Sequence, residues 1–520
     1  MSQTMGCDSE KTISIMDTTL RDGEQTPGIA YTPSEKLHVA RMLLKDVGVD
    51  RIEIVSARAS SGELQGAQRV TGWAREAGLI DRVEMLGFCD VNRSVDWIRD
   101  AGGRVINLLT KGSERHCREQ LGMTPEEHIR RIVDTARYAH EQNVRVNVYL
   151  EDWSNGFRDG FGYVKGLVDA LQDLQVERVL LADTLGVLAP DDVRHFVSVM
   201  AVTWPDTVFD FHGHNDYGLA TANAIAAIQS GAAGVHTSVN GLGERAGNTS
   251  LSEIVTAIAD HTEFRTLVNE SRLAAVSELV ETFSGKNISA NTPILGADVF
   301  TQTAGIHADG DAKGDLYATR LAPQRFGRER RYALGKLSGK ASLDHNLAQL
   351  GIKLSAVNRK KVLDRIIELG DKKHTVVPED LLMIIADVLK TPAEHLVRIN
   401  RYQIDVASDR PPSASVSVSF KGRTSEASGS GDGGYDAFMK ALAKAVSPHG
   451  IDMPRLADYR VRIPPGGRTE ALVETLIEWS DRANGRRFST VGVDPDQTAA
   501  AVIATEKMLN IVAHERARAS

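Results

Sequence analysis

Cysteine is scarce in this 520-residue chain: Cys7, Cys89 and Cys117 are all there is, and they lie far apart without a CxxC pair. That usage excludes a disulfide framework and suits a reducing compartment. No run of roughly 18 or more apolar residues occurs, so no membrane-spanning helix is expected and the chain reads as soluble. The stretch before Lys11 is polar, carries acidic residues and lacks an apolar h-region. This argues against a secretory or transit peptide and for a cytoplasmic location. A formal net charge of −8 with mixed signs leaves no basic stripe to neutralise a phosphate backbone, which argues against nucleic acid as a partner.

What is present is a long, regular alternation. The length exceeds what one hydrophobic core usually serves, so a barrel of about 250 residues with further domains is the natural expectation. From Thr12 to about Asp260, eight β-rich runs alternate with amphipathic helical segments. The runs begin at Thr12, Arg51, Arg82, Arg104, Val144, Val176, Val208 and Gly234. Segments such as PSEKLHVARMLLKDVG from Pro33 and TPEEHIRRIVDTARYAHEQN from Thr124 open with helix-start signals and an acidic first turn. Parallel strands joined by crossover helices follow, and eight of them close a TIM (β/α)8 barrel.

The expected fold class is therefore α/β, with the barrel over 10–282, a mixed helical connecting subdomain over 283–391, and a C-terminal α/β domain over 392–520. Helices are expected around Asn358 to Leu369 and Pro378 to Leu389, and strands from Arg401, Ser415 and Asp458. GDGGYDAFMKALAKAV from Gly431 and GVDPDQTAAAVIATEKML from Gly492 share a loop-into-helix layout, which suggests an internal duplication. A flexible linker at the Gly/Ser stretch from Ser428 is the alternative, since composition alone does not separate the two.

Chemistry in such a barrel sits at the C-terminal strand ends. The first strand runs into DTTLRDGEQTPG from Asp17, which places Arg21, Asp22 and Glu24 at the mouth. On the seventh, FHGHND sets His212 and His214 two residues apart, so the strand period turns both imidazoles to one face. With Asp22 they make a two-histidine, one-carboxylate set that holds a divalent ion and leaves positions open for a chelating 2-keto acid. Asn248, in the Gly-rich turn NGLGERAGN, is placed to offer a further oxygen or to bond a metal-held water; a plain tight turn is the alternative. Glu151 ends the fifth strand and points a carboxylate at the mouth for substrate binding or proton transfer, unless it is a surface loop acid. Thr184 ends the sixth, with a hydroxyl for a substrate carboxylate or for capping a helix.

DTTLRDGEQT, YLEDW, DTLG, FHGHND, NGLGERAGN and TQTAGIHADG together resemble the 2-isopropylmalate, homocitrate and citramalate synthase family, of the DRE-TIM metallolyase superfamily. The resemblance spans nearly the whole chain. It implies an acyltransferase that condenses the acetyl group of acetyl-CoA, as co-substrate, with a 2-keto acid. It assigns Asp22, His212, His214 and Asn248 to a divalent metal (zinc, manganese, magnesium or cobalt). Arg21 and Thr184 then bind the keto acid, with Arg21, Glu151 and His307 catalytic. His307, Asp309, Leu316 and Tyr317 fall to acetyl-CoA, and His307 is implied to reach the mouth from the partner subunit of a homodimer. Relatives carry Asn where this chain has Asp315, which leaves that residue without an assigned contact.

The family sets substrate choice from its third, fourth and fifth strands, here Leu86, Leu108 and Tyr149. Such bulky walls favour the methyl of pyruvate over a branched chain, giving citramalate, because overpacking costs about 1–3 kcal/mol. The alternative is 2-ketoisovalerate, giving 2-isopropylmalate on the path to leucine. The C-terminal segments GDGGYDAFM, LADYRVRIPPGG and ALVETLIEW resemble an isoleucine-binding regulatory domain, with Tyr435, Asp436, Leu456, Tyr459, Ile463 and Val473 at its effector positions. Two readings from other classes are weaker. A carbon–carbon lyase gives no reason for an effector domain, and a non-catalytic sensor has no need of the intact Asp22, His212 and His214 set.

Overall fold

The computed structural model describes the chain apart from residues 1–10, 315, 351, 372–375, 377–379, 390–395, 463–472, 483–485 and 520. Cys7, Asp315 and Ile463 thus lie outside the described residues, and Cys89 and Cys117 are free thiols. The alternation closes as expected. Strands β1 (Ser14–Asp17), β2 (Arg51–Ser56), β3 (Val83–Phe88), β4 (Val105–Lys111), β5 (Arg145–Glu151), β6 (Val176–Asp183), β7 (Phe209–Gly213) and β8 (Gly234–Thr237) form one closed barrel in sequence order. Parallel pairing of β1 with β8, from Ser14↔Gly234 to Asp17↔Thr237, shuts it.

Strand alternation divides the side chains between two environments. Ile52, Ile54, Val146, Val148, Leu150, Phe209 and Phe211 face the helices and join one buried core. Their neighbours face the barrel axis, and many are polar. Arg51 donates to Glu84 at 2.9 Å and to Asp210, which also takes Arg178 at 2.7 Å. Above them Asn147 donates to Asn107 (2.8 Å) and Asn107 to Glu53 (2.7 Å). The axis is a stack of paired charges and amides, in which Glu84 Oε2 and Asn147 Oδ1 alone of these groups' oxygens are buried without a hydrogen-bond partner.

Local signals set where the crossover helices begin. Pro33–Arg41 and Pro125–Glu141 both start on a capping box, Thr32 with Glu35 and Thr124 with Glu127, with proline in the first turn. Gly156, in helix Trp153–Leu171, approaches the backbone of Gly112 so closely that a Cβ there would lie 1.9 Å from the carbonyl oxygen. Only glycine allows that helix to seat against the end of β4. Among the described residues no helix is long and apolar enough to cross a membrane.

The chain divides into two units: Met1–Phe300 with Thr319–Glu329, and Thr301–Ala318 with Arg330–Ser520. In the second unit, Leu334, Leu343, Leu347, Val362, Ile366 and Leu381 form a small core among helices Lys340–Gln349, Ala356–Asp371 and Leu381–Leu389. Beyond it, three antiparallel strands and a helix occur twice. Strands Val397–Ala407, Arg410–Phe420 and Arg423–Ser430 precede helix Gly434–Val446, and strands Arg455–Arg462, Val473–Ser480 and Arg487–Asp494 precede helix Gln497–Ala519. Phe438, Trp479, Ile477 and Met508 belong to a core common to both copies. The duplicated layout is real, and Ser428 is no linker: it pairs with Ser415 inside a strand.

Candidate active site

The turn after β1 is built by short hydrogen bonds that aim Arg21 and Asp22 inward. Asp17 Oδ1 accepts from the Thr19 amide (3.0 Å), Thr19 Oγ1 accepts from the Val239 amide (2.8 Å), and Thr18 Oγ1 donates to the Thr237 carbonyl (3.1 Å). These tie the start of the barrel to its last strand. Lys36, buried, donates to the Leu20 and Ile54 carbonyls and to Glu24 (2.7 Å) and Glu63 (2.8 Å). Glu24 thus turns away from the mouth, where it was expected, because Lys36 and the Tyr31 amide (2.7 Å) hold it.

Asp22, His212 and His214 come together as expected. His212 Nε2 lies 3.2 Å and His214 Nε2 3.9 Å from Asp22 Oδ2, and the two nitrogens are 3.3 Å apart. Among the described residues these three form the one cluster of histidine, cysteine or acid side chains with metal-holding spacing, and all are buried. Burial alone would raise the Asp22 carboxyl, but Arg21, 3.5 Å away, and the His212 hydrogen bond outweigh it and hold the group well below the usual range. Burial, aided by His212, pushes His214 down to about 4, so its imidazole is neutral at physiological pH and has a lone pair to give. Asp22 Oδ1 and Asn248 Oδ1 are buried without a hydrogen-bond partner. Asn248 pairs with His214 across a β-bridge and spends its amide nitrogen on the Leu242 carbonyl (3.0 Å), which leaves its oxygen free. Two imidazoles, a carboxylate and unpaired oxygens are the donor set a hard or borderline divalent ion takes.

Arg21 links this cluster to the barrel axis. Its Nε donates to Glu53, and Nη2 lies 3.4 Å from the Tyr149 hydroxyl. Tyr149 is 2.9 Å from His236 Nδ1, and His236 Nε2 lies 3.6 Å from Asp210. Burial pushes His236 down to about 3. We therefore assign a neutral ring whose Nδ1 accepts the tyrosine proton. Neither Glu53 nor His236 was singled out in the sequence. The available signal was position: Glu53 shares a strand face with Arg51, and His236 is a polar side chain on β8.

Tyr149 and Leu86 sit together in an inner apolar cluster with Met16, Leu180 and Ala182, and Leu109 packs against it. Leu108 does not belong there. It is fully buried in the outer core, and it is Leu109 that shares the inward face with Asn107 and Lys111. Glu151 is in register with Lys111 of the neighbouring strand and paired with it; Lys111 too was missed. Thr184 caps no helix: its hydroxyl accepts from the Asp152 amide at 2.8 Å and keeps its own proton to donate.

In the second unit His307 lies on helix Gly305–Ala312, its ring 4.3 Å from that of Tyr317. A Cβ on Gly310 would meet Tyr317 at 2.5 Å, so the glycine of HADG is what lets these two rings approach. Asp309 pairs with Lys313 (2.6 Å) and Leu316 is exposed. Farther along, Tyr435 and Tyr459 stand 5.2 Å apart, with Tyr435 bonded to Thr505 (2.7 Å). Asp436 faces Lys440 (2.7 Å), Leu456 is half-exposed and Val473 is buried.

The HMGL-like family profile matches residues 12–280, a homocitrate synthase post-HMGL domain-like profile matches 294–374, and a LeuA allosteric (dimerisation) domain profile matches 375–513. A Methanopyrus kandleri protein provisionally named (R)-citramalate synthase is 35% identical over 91% of this chain and 91% of its own. A second protein of that organism, provisionally named 2-isopropylmalate synthase, is 34% identical over 97% of this chain and 99% of its own. The (R)-citramalate synthase of Methanocaldococcus jannaschii is 33% identical over 90% of this chain and 93% of its own. Among solved structures, the HMG-CoA lyase of Brucella melitensis aligns over 53% of this chain and 100% of its own, with 21% identity and a TM-score of 0.47.

Proposed function

The chain belongs to the HMGL-like family, as an acyltransferase of the Claisen-condensing kind, and on that premise we propose that it joins the acetyl group of acetyl-CoA to pyruvate, forming (R)-citramalate and CoA. The observation that carries the proposal is the meeting of Asp22, His212 and His214 with Arg21 and Tyr149 at the edge of a tight apolar wall. Asp22, His212, His214 and Asn248 would hold the divalent ion on which the family depends. When bound, such an ion draws electron density from a keto oxygen.

The side chains then have separable tasks. Arg21, held by Glu53, offers a fixed cation to the keto acid and to the negative charge that grows on its oxygen as the new bond forms. Thr184 keeps a hydroxyl proton for the keto acid's carboxylate. Glu151, beside Lys111, presents a carboxylate at the mouth for proton transfer. One methyl C–H bond of acetyl-CoA breaks, its carbon bonds to C2 of pyruvate, the keto oxygen takes a proton, and water cleaves the thioester to release CoA. We assign loss of the methyl proton to the His307 segment, with Asp309, Leu316 and Tyr317 against the coenzyme, supplied by the partner subunit of a homodimer.

Leu86, Tyr149, Met16 and Leu180 support the choice of pyruvate, since they leave apolar bulk where a branched substrate would extend. The division into a barrel to residue 282, a connecting subdomain to 391 and a regulatory domain beyond follows the same reading. Tyr435, Asp436, Leu456, Tyr459, Ile463 and Val473 would form an isoleucine pocket, and the enzyme would work in the cytoplasm. CoA release by the full chain with added divalent ion tests it: pyruvate should be preferred to 2-ketoisovalerate by at least about 10-fold, the scale of one or two methyl groups. The reverse preference would favour 2-isopropylmalate synthesis, a reading that the second Methanopyrus relative keeps in view.

A further inference from the structure

Thr184, His214 and Asn248, three of the residues assigned above to the metal and the keto acid, lie in the loops after β6, β7 and β8, and one guanidinium ties these loops together. Arg245, in the loop after β8, donates from Nε to Asp216 Oδ1 (2.8 Å) and from Nη2 to Asp216 Oδ2 (2.9 Å), a two-point fork. The same Nη2 donates to the backbone carbonyl of Thr184 at 2.7 Å. Asp216 follows His214 by two residues in the loop after β7, Thr184 opens the loop after β6, and Asn248 follows Arg245 by three. The loops also share backbone bonds, with the Asn215 amide on the Gly247 carbonyl (2.9 Å) and His214 bridged to Asn248.

Isolated surface ion pairs contribute little, because solvent screens them and long side chains resist being fixed. This one differs in geometry. A fork of two parallel bonds fixes direction as well as distance, and the third bond engages backbone, which a mobile side chain cannot replace. Arg245 has φ of 56°, in the left-handed region that a non-glycine residue enters only when its surroundings hold it there. Gly186, next in the Thr184 loop, is pressed against the same acid: a Cβ there would stand 2.7 Å from Asp216 Oδ2. The acid is thus packed from one side and forked from the other.

We propose that Arg245, acting through Asp216 and the Thr184 carbonyl, is a positioning residue that sets His214, Asn248 and Thr184 relative to one another. Metal affinity and keto-acid binding then depend on it although it acts through its neighbours. The inference rests on the metal reading given above.

The test uses the full chain stripped of metal, with Mn2+ as the probe. Arg245→Gln and Asp216→Asn should each weaken Mn2+ binding about 10- to 100-fold, the usual effect of losing a residue that orients ligands. The double variant should be no weaker than either single one, since both break one interaction. Arg245→Lys should recover only part of the loss, because an ammonium cannot fork. In the metal-free protein, amide hydrogen exchange should rise in 212–216 and 241–248 while the rest of the barrel stays protected, and the keto-acid KM should rise more than kcat falls. Mn2+ affinity within about two-fold of the parent with unchanged loop exchange would overturn the proposal, as would a uniform rise in exchange across the barrel, the mark of a merely structural residue. If the parent chain itself binds no Mn2+, the metal reading fails, and loop exchange and KM still decide this one.

Discussion

Shortening Leu86 to alanine should move substrate preference from pyruvate toward 2-ketoisovalerate. Leu86 is 5% exposed and packs with Met16, Tyr149, Leu180 and Ala182 in the inner cluster. The branched acid carries two more methyl groups than pyruvate, and burying each is worth about 0.8 kcal/mol once there is room. Relief of overpacking adds about 1 kcal/mol at the low end of its range. Their sum, about 2.6 kcal/mol, corresponds to a change of about 80-fold in the ratio of kcat/KM values for the two acids. Leu108→Ala is the control, because it is the same chemical change at the fully buried neighbour that faces the helices. Both variants should lose about 2–5 kcal/mol of stability, but only Leu86→Ala should shift the ratio. Steady-state kinetics on both acids, with melting curves to confirm folding, provide the assay. If the two variants shift the ratio equally, or neither does while both stay folded, the placement of the substrate wall is wrong.

Replacing His212 and His214 with alanine should abolish both divalent-ion binding by calorimetry and CoA release, and full-rate condensation by that variant would remove the basis of the metal reading. Asp210→Asn should lower stability by about 3–5 kcal/mol, the cost of removing one partner from a buried ion pair. The lower end is expected because the Arg178 side chain is 24% exposed and can turn to water. Denaturant unfolding measures it, and a shift under about 1 kcal/mol would mean that Glu84 suffices for Arg51. Burial, aided by Lys111, pushes His128 from 6.5 down to about 4, so between those values the unfolded chain takes up a proton that the folded one refuses. Stability from this group is therefore complete above pH 6.5 and drains as pH falls toward 4. Asp17, raised by burial to about 6, works in the opposite sense over part of that range. The difference in unfolding free energy between the parent and His128→Gln, followed against pH, should isolate the histidine. A difference independent of pH would contradict its assignment as a buried neutral ring.

The barrel was legible because each of its signals is local. A two-residue alternation of β-branched residues identifies a strand, and Thr-Pro-x-Glu at Thr32 and Thr124 identifies where helices begin. His212 and His214 were legible for the same reason, since a period of two decides that both rings share a face. Leu108 shows where this fails. Choosing between adjacent leucines requires knowing which phase of the strand faces the axis, and a slip of one residue inverts every assignment. Asn107, a buried amide amid apolar neighbours, held that phase information. Glu24 failed differently: it is near Asp22 in sequence, but a 3-10 turn and the buried Lys36 send it elsewhere. The pairs Arg21–Glu53 and Tyr149–His236 are separated by 32 and 87 residues and exist only once the strands are side by side. No local pattern announces them.

The ionic stack along the barrel axis limits how this scaffold can be adapted to other acids. Below Tyr149 the space is filled by Arg51, Glu84, Asp210 and Arg178, each answering another's charge, so deepening the cavity would strand an ion in a dry interior. Extra volume for a longer substrate can be found only sideways, among the uncharged side chains of the uppermost tier. New keto-acid preferences on this barrel should therefore arise from a handful of apolar exchanges around Leu86, Leu109 and Ala182, while the charged tier beneath them stays as it is.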